Sequence, residues 1–501
     1  MSQLPDAPAT LSLPVSTGDS QTEILVLDGR GRLVQRGFGP QCNFNLEEGI
    51  YRVKVITGTS SQEKPVVLTA ASVKPLAFGP ANFASPAPLA GTSTSHEYHM
   101  AAANQESRKT HVKDGVGSSL FFLVRQWTPS QSQAKQRLTG NPAEGLALYE
   151  VGTTGDRKIC DFAVSGATNA DYDPWTACTV ALRPAVYELR LELPTGEVFR
   201  HSVVASPSWQ TQSFLFVQPY ATESGPRWRA DLTRTSVILA DVGGGFEPNE
   251  PMLRVAELAR VRLAKRTLSK PGDGSRPLLP EEMRNLFRGK FTNPMLGIYG
   301  AHLLLLEKSF DSILYRDVVG KLRGMLGTHP DVESLALRAD LLPPPGPFDQ
   351  APMLSRSWSI ITEATVDRPE LVTSSLAARS IGEVLTEGAW HVRRSPQPVG
   401  LESVTDELVL SDVETALAEE LGVSKVIRRI RQLQRGAGNQ PQTESAAATN
   451  QEIPAAMDST RLRSMASRFG IPAPQLKGVL SGLEHKLNSD PRVPNLKLIY
   501  K

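Results

Sequence analysis

Two hydrophobic periods divide the chain. Up to about residue 245 apolar residues tend to fall at every second position, and from about Asn249 they recur at steps of three and four. The first period predicts half-buried strands, the second predicts helices that bury one face. Residues 24–27 run into the turn Asp28-Gly29-Arg30-Gly31, residues 51–55 alternate strictly, and residues 65–68 give a further strand. Residues 120–124, 147–151, 187–193, 214–217 and 235–239 continue the pattern until Gly243-Gly244-Gly245 and Pro248 interrupt it.

Part of the β pattern repeats. Residues 46–55 read LEEGIYRVKV and residues 182–191 read LRPAVYELRL. One offset of 136 pairs Leu46 with Leu182, Tyr51 with Tyr187, Val53 with Leu189 and Val55 with Leu191. The same offset pairs Val67 and Leu68 with Val203 and Val204. A shared register predicts a duplicated module. The pattern L-x-x-G-x-Y-x-V-x-V resembles the penultimate strand of carboxypeptidase-regulatory-like and related immunoglobulin-like sandwiches, over about 50 residues of the first copy and about 100 of the second. The resemblance implies a turn that delivers a Tyr to the sheet edge while alternate residues fill the core, and it implies no chemistry. The second copy departs from it, with Pro184-Ala185 where the Gly belongs, so a different turn is expected there.

The expected fold class is therefore multidomain β plus α. Two N-terminal antiparallel β-sandwiches occupy 1–80 and 118–245, joined by a Pro/Ser/Thr/Ala-rich linker or long loop at 81–117. An all-helical domain follows at 246–434. Its helices are marked by Leu253, Ala256, Val261 and Ala264, then by residues 295–306 (with Pro294 suited to a first turn), 313–326, 332–341, 353–364, 371–390 and 413–433. A Gly/Gln/Ala/Thr/Asn-rich tether covers 435–456, and a compact block of 457–501 ends the chain.

Totals narrow the partners. The 501 residues exceed one core, and a formal net charge of +2 argues against a partner held by the whole surface. Three cysteines, Cys42, Cys160 and Cys178, form no disulfide framework and suit a reducing compartment. With no apolar leader and no span-length apolar run, a cytoplasmic protein without a membrane partner is expected.

Catalytic constellations are missing from the sequence. It has no G-x-x-x-x-G-K-[ST], no G-x-S-x-G and no paired C-x-x-C, and the Gly243 triplet reads as a domain joint. His96-Glu97-Tyr98-His99, with His111 nearby, is one residue short of the zinc-protease spacing and predicts a solvated loop. Asp171 and Asp173 read as turn residues. His302 reads as a hydrogen-bonded core histidine, and His329-Pro330-Asp331 as a helix start. Neither enzyme activity nor a cofactor is expected.

The C-terminal block carries the sharpest signal. Residues 462–483 fit a helix-turn-helix: Ala466 where the helices approach, Gly470 where the turn needs a left-handed backbone, Pro474 in the next first turn. Met465, Phe469, Ile471, Leu476 and Val479 supply its apolar positions, and a strand at 495–500 would make it similar to a winged helix. Residues 457–501 hold eight Lys/Arg against three acids, a balance of +5. Gln475, Lys477, Ser481 and His485 are the candidate nucleic-acid readers on the second helix. Helix-turn-helix units also dock proteins, and 417–423 begins in the same way before a basic run at Lys425, Arg428, Arg429 and Arg431.

Modules without catalytic groups predict a non-enzymatic adaptor or scaffold holding protein partners. Two alternatives stand beside it: a nucleic-acid-binding regulator acting through 457–501, and a hydrolase whose site is assembled from distant segments.

Overall fold

A computed structural model of the protein describes residues 10–17, 22–58, 60–70, 74–79, 83–127, 140–170, 174–222, 225–267, 281–288, 291–307, 309–372, 375–385, 388–394, 412–421, 453–488 and 496–500. Asp171, Asp173, the basic run from Lys425 and the tether up to residue 452 lie outside these residues. The described chain is mixed β and α.

The alternating front folds into two facing sheets. Its strands are β1 (Leu11–Ser16), β2 (Glu23–Asp28), β3 (Leu33–Phe38), β4 (Gln41–Leu46), β5 (Gly49–Thr57), β6 (Ser60–Leu68) and β7 (Leu76–Ala77). One sheet has the order β4–β1–β7 and the other β3–β2–β5–β6. Leu13, Val15, Ile24, Val26, Phe44, Tyr51, Val53 and Val55 meet between them as one core. The antiparallel expectation fails at β7, which crosses from the far sheet and runs parallel to β1.

Within the segment expected as a linker or long loop, residues 83–117 pack into the fold. They contain α1 (Glu97–Ser107) and β8 (Val112–Lys113), and they bury Phe83, Ala87, Leu89 and Ala103. The next strand, β9 (Ser118–Arg125), ends on a fully buried arginine. Arg125 donates to the carbonyls of Pro86, Thr94 and Ser85 at 2.9, 2.8 and 3.0 Å. Small polar residues suit a buried turn when a side chain satisfies their carbonyls, which composition alone does not reveal.

The second sandwich continues with β10 (Leu146–Glu150), β11 (Arg157–Asp161), α2 (Phe162–Ser165), β12 (Ala167–Asn169), β13 (Trp175–Leu182), β14 (Ala185–Glu192), β15 (Val198–Ala205), β16 (Trp209–Thr222), β17 (Gly225–Ala230) and β18 (Ser236–Asp241). One sheet runs β12–β13–β9–β16–β17, with β8 and β18 on its flanks. Here too the sheet is mixed, since β16 lies parallel to β9 and β8 parallel to β13.

The two Tyr-centred strands share a local geometry. Tyr51 Oη donates to Glu47 O at 3.0 Å, and Tyr187 Oη donates to Arg183 O at 2.9 Å. Both hydroxyls thus reach back four residues, at the offset of 136. In the following strand the offset slips by one: Tyr51 faces Val66, whereas Tyr187 faces Val203. Val67 and Leu68 therefore correspond to Val204 and Ala205, a correction to the constant register. The extra residue sits in the Pro194-Thr195-Gly196 turn, closed by Leu193 N donating to Glu197 O at 2.9 Å. Gly49 has no positive φ, so its position accepts the Ala185 of the second copy.

The helices are α3 (Pro251–Thr267), α4 (Glu281–Arg288), α5 (Pro294–Leu305), α6 (Ser312–Leu326), α7 (Pro330–Ala336) and α8 (Ser355–Ala364). Asn293 caps α5 through Leu296 N, with Pro294 in the first turn. Glu257 on α3 accepts from Ser85, Ser236 and Arg260, all buried, and ties the front loop and β18 to the helix.

Residues 246–434 are not all-helical. The helix expected at 371–390 is replaced by 3₁₀ turns and by β19 (Val384–Leu385), and β20 (Val392–Arg394) follows. These strands extend the second sandwich in the order β11–β10–β14–β15–β20–β19. One apolar cluster runs from Leu120 through α3, α5, α6 and α7 to Trp390 and Val392, so no break between cores falls at 245.

At the C-terminus lie α9 (Asp412–Glu420), β21 (Ile453–Met457), α10 (Ser459–Phe469), α11 (Ala473–Asn488) and β22 (Leu496–Tyr500). The anticipated strand at 495–500 exists, but it pairs parallel with β21 rather than forming a wing. Among the described residues no helix is long and apolar enough to cross a membrane.

Candidate functional site

Two helices, α10 and α11, meet at a short turn within the stretch 462–483. Gly470 sits at φ 63° and ψ 29°, the left-handed conformation that ends α10 at low cost only for glycine. Ala466 is fully buried at the crossing, beside Met465, Ile471, Leu476 and Leu480. On α11, Lys477, Ser481 and His485 follow one another at four-residue steps and are exposed, so the helix brings these three candidate readers together. Gln475 is half-buried at the start of the helix.

The block is not a free end. Trp358 of α8 donates its indole N–H to Gly470 O at 2.6 Å, and Ala473 N donates to Thr365 Oγ1 at 3.0 Å. Its charge is also answered from outside. Arg463 pairs with Asp367 at 2.8 Å, Lys486 with Glu414 at 2.8 Å, and Arg468 with Glu420. Glu414 and Glu420 belong to α9, which carries Asp412, Glu414, Glu419 and Glu420 and no basic residue. Three of the eight basic side chains of 457–501 are thus paired with acids from outside the block. The basic footprint seen in the isolated segment is reduced at these three positions, and Lys477 stays exposed.

A second candidate site was not visible in the sequence. A groove of about 620 Å³ opens where the end of the β14–β15 hairpin meets the α6–α7 joint and residues 346–350. Pro184, Val186, Pro207, Pro330, Pro347 and Phe348 give it apolar walls. Among its charged lining residues Arg183 pairs with Glu150 and Glu333 with Arg323, and Asp349 lines it as well. The only sequence cue is the proline-rich stretch 343–347, and nothing local ties that stretch to the front sandwich.

Beside the groove, an ion cluster locks β20 to the sheet. Glu188 holds Arg393 at 2.7 Å and Arg190 at 2.5 Å, while Glu383 holds Arg200 at 3.1 Å and Arg393 at 3.2 Å. Burial pushes the Glu383 carboxyl up, against the pull of Arg393 and Arg200.

The catalytic candidates separate. His96 occupies the N-cap position of α1 without a side-chain cap bond, and His99 is buried 3.3 Å from Arg125, so this segment is a helix start rather than a solvated loop. His111 faces Glu106 at 3.1 Å and accepts from Thr179 N. His302 Nε2 meets Ser357 Oγ at 3.0 Å, but both side chains are fully buried and His302 Nδ1 has no hydrogen-bond partner. A serine nucleophile needs access to substrate and an oriented base, and this pair has neither. Desolvation lowers His302 to about 3 and His201 to about 4. His329 caps α7, where Asp331 accepts from Met353 N and Leu354 N at 3.0 Å. No cluster of three metal-binding side chains occurs among the described residues, where Cys42, Cys160 and Cys178 are free thiols.

No protein-family model matches the chain, and no curated protein is significantly similar to it.

Proposed function

We propose that the protein is a non-enzymatic adaptor that holds an extended segment of a partner protein in the groove between its second sandwich and its helices. The groove itself carries this proposal. It is walled largely by proline and apolar surface, and two of its charged lining residues, Arg183 and Glu333, already hold ion pairs, a surface suited to an apolar, proline-tolerant chain. The sealed Ser357–His302 pair supports a binding role over a hydrolytic one.

The test is capture from an extract of the native host on immobilised full-length protein. Val186→Arg, which fills the groove, should abolish retention of a partner that the unaltered protein holds. Retention that is indifferent to this substitution, or no specific partner at all, would remove the proposal.

A second reading, nucleic-acid binding, is favoured only by the exposed row Lys477, Ser481 and His485.

A further inference from the structure

The two sandwiches differ in what covers corresponding surfaces. In the second, β20 adds to the outer edge of β15, pairing Arg394, Arg393 and Val392 with Phe199, Arg200 and His201. By the register established above, those three residues correspond to Gln62, Glu63 and Lys64 of β6. Yet β6 is the terminal strand of its sheet among the described residues. Pro65, which lacks a backbone donor, corresponds to Ser202, the first residue that β20 leaves unpaired. The proline thus marks where an added strand would stop and leaves the three-residue pairing site open.

The outer faces differ likewise. Val186 and Val204 face each other across β14–β15 beneath the groove, and Val204 is 4% exposed. Their counterparts Ile50 and Val67 face each other across β5–β6 and are 64% and 58% exposed.

Charge identifies the occupant. Glu188, which holds Arg393, corresponds to Arg52, and Arg200, which holds Glu383, corresponds to Glu63. Both signs are reversed, while Arg190 keeps its sign as Lys54. We infer that the β6 edge of the first sandwich takes, from a partner protein, an extended strand that is the charge-reversed counterpart of β20. That strand would carry a carboxylate opposite Glu63, directed at Lys54 and at Arg52, which Glu63 holds at 3.2 Å. The same reversal disfavours β20 of a second copy. This surface deepens the adaptor function and rests on it, but it is separate from the groove.

The test uses the full-length protein and two fluorescently labelled peptides of residues 389–395, one native and one carrying Arg393→Glu. The acidic peptide should bind about tenfold more tightly than the native one, and Arg52→Glu should reverse the order. Lys54→Glu should shift the preference the same way if the first variant folds poorly. Equal binding of both peptides, or none at millimolar concentration, would overturn the inference. So would a dimer in sedimentation that Val67→Lys dissociates, because the edge would then belong to a second copy. Partner retention through the groove does not depend on Arg52, so either surface can fail alone.

Discussion

Trp358 and Gly470 are joined across 112 residues by one hydrogen bond, from the indole nitrogen of the first to the carbonyl oxygen of the second, at 2.6 Å. The acceptor is the residue whose left-handed backbone turns α10 into α11. Trp358 also stacks on His391, ring centroids 4.9 Å apart, so one side chain connects the turn to the strand that completes the second sandwich.

Trp358→Phe leaves that carbonyl unpaired and should destabilise the protein by about 1–3 kcal/mol, while Trp358→Ala, which also opens a cavity, should cost about 3–5 kcal/mol. Thermal melting with limited proteolysis checks this: cleavage within 457–501 should speed up in both variants. Melting curves identical to the unaltered protein would disprove the docking role.

Tyr51→Phe and Tyr187→Phe each remove one hydroxyl that reaches back four residues. Each should lose about 1 kcal/mol, and the double variant about the sum, because the two rings lie in separate cores. Urea denaturation reads both. Unchanged stability in either variant would mean that the bond contributes nothing at that corner.

His201 and His302 are buried and held neutral, at about 4 and about 3, against roughly 6.5 in an unfolded chain. Between these values the unfolded chain binds the extra protons. Their contribution is therefore complete above about pH 6.5 and is lost as pH falls toward the folded values, at roughly 1.4 kcal/mol per unit for each group. The urea midpoint should fall between pH 7 and pH 5. His302→Gln, which keeps a partner for Ser357, should flatten the slope. A midpoint constant over that range would contradict the assignment.

Because Asp367 and two acids of α9 answer Arg463, Arg468 and Lys486, the full chain should not shift duplex DNA even at low salt. A gel-shift titration decides this. Salt-sensitive binding weakened by Lys477→Glu would instead establish the C-terminal block as a nucleic-acid module.

What the sequence revealed, and what it hid, follows from the range of the interactions. The alternation through Tyr51 and Val55, the cap at Asn293 with Pro294, and the left-handed turn at Gly470 are set by neighbours within a few residues, and each is found where the pattern places it. The packing of 83–117 is not legible in its composition because it depends on Arg125 reaching back to the carbonyls of Ser85, Pro86 and Thr94. β20, at three residues, is too short to show a period. The groove and the ion pairs of the C-terminal block are products of tertiary structure alone: Val186 and Phe348 line one groove, and Arg468 meets Glu420, only after folding.

The late arrival of β20 also sets an order of assembly. During synthesis the edge of β15 is made roughly 190 residues before the strand that closes it, a wait of roughly 10–40 seconds at ordinary elongation rates. Over that interval the nascent second sandwich exposes an open, apolar-flanked border to other chains. A product terminated anywhere before Val392 keeps that border for good, so premature stops in the helical half should yield aggregates rather than a soluble front fragment.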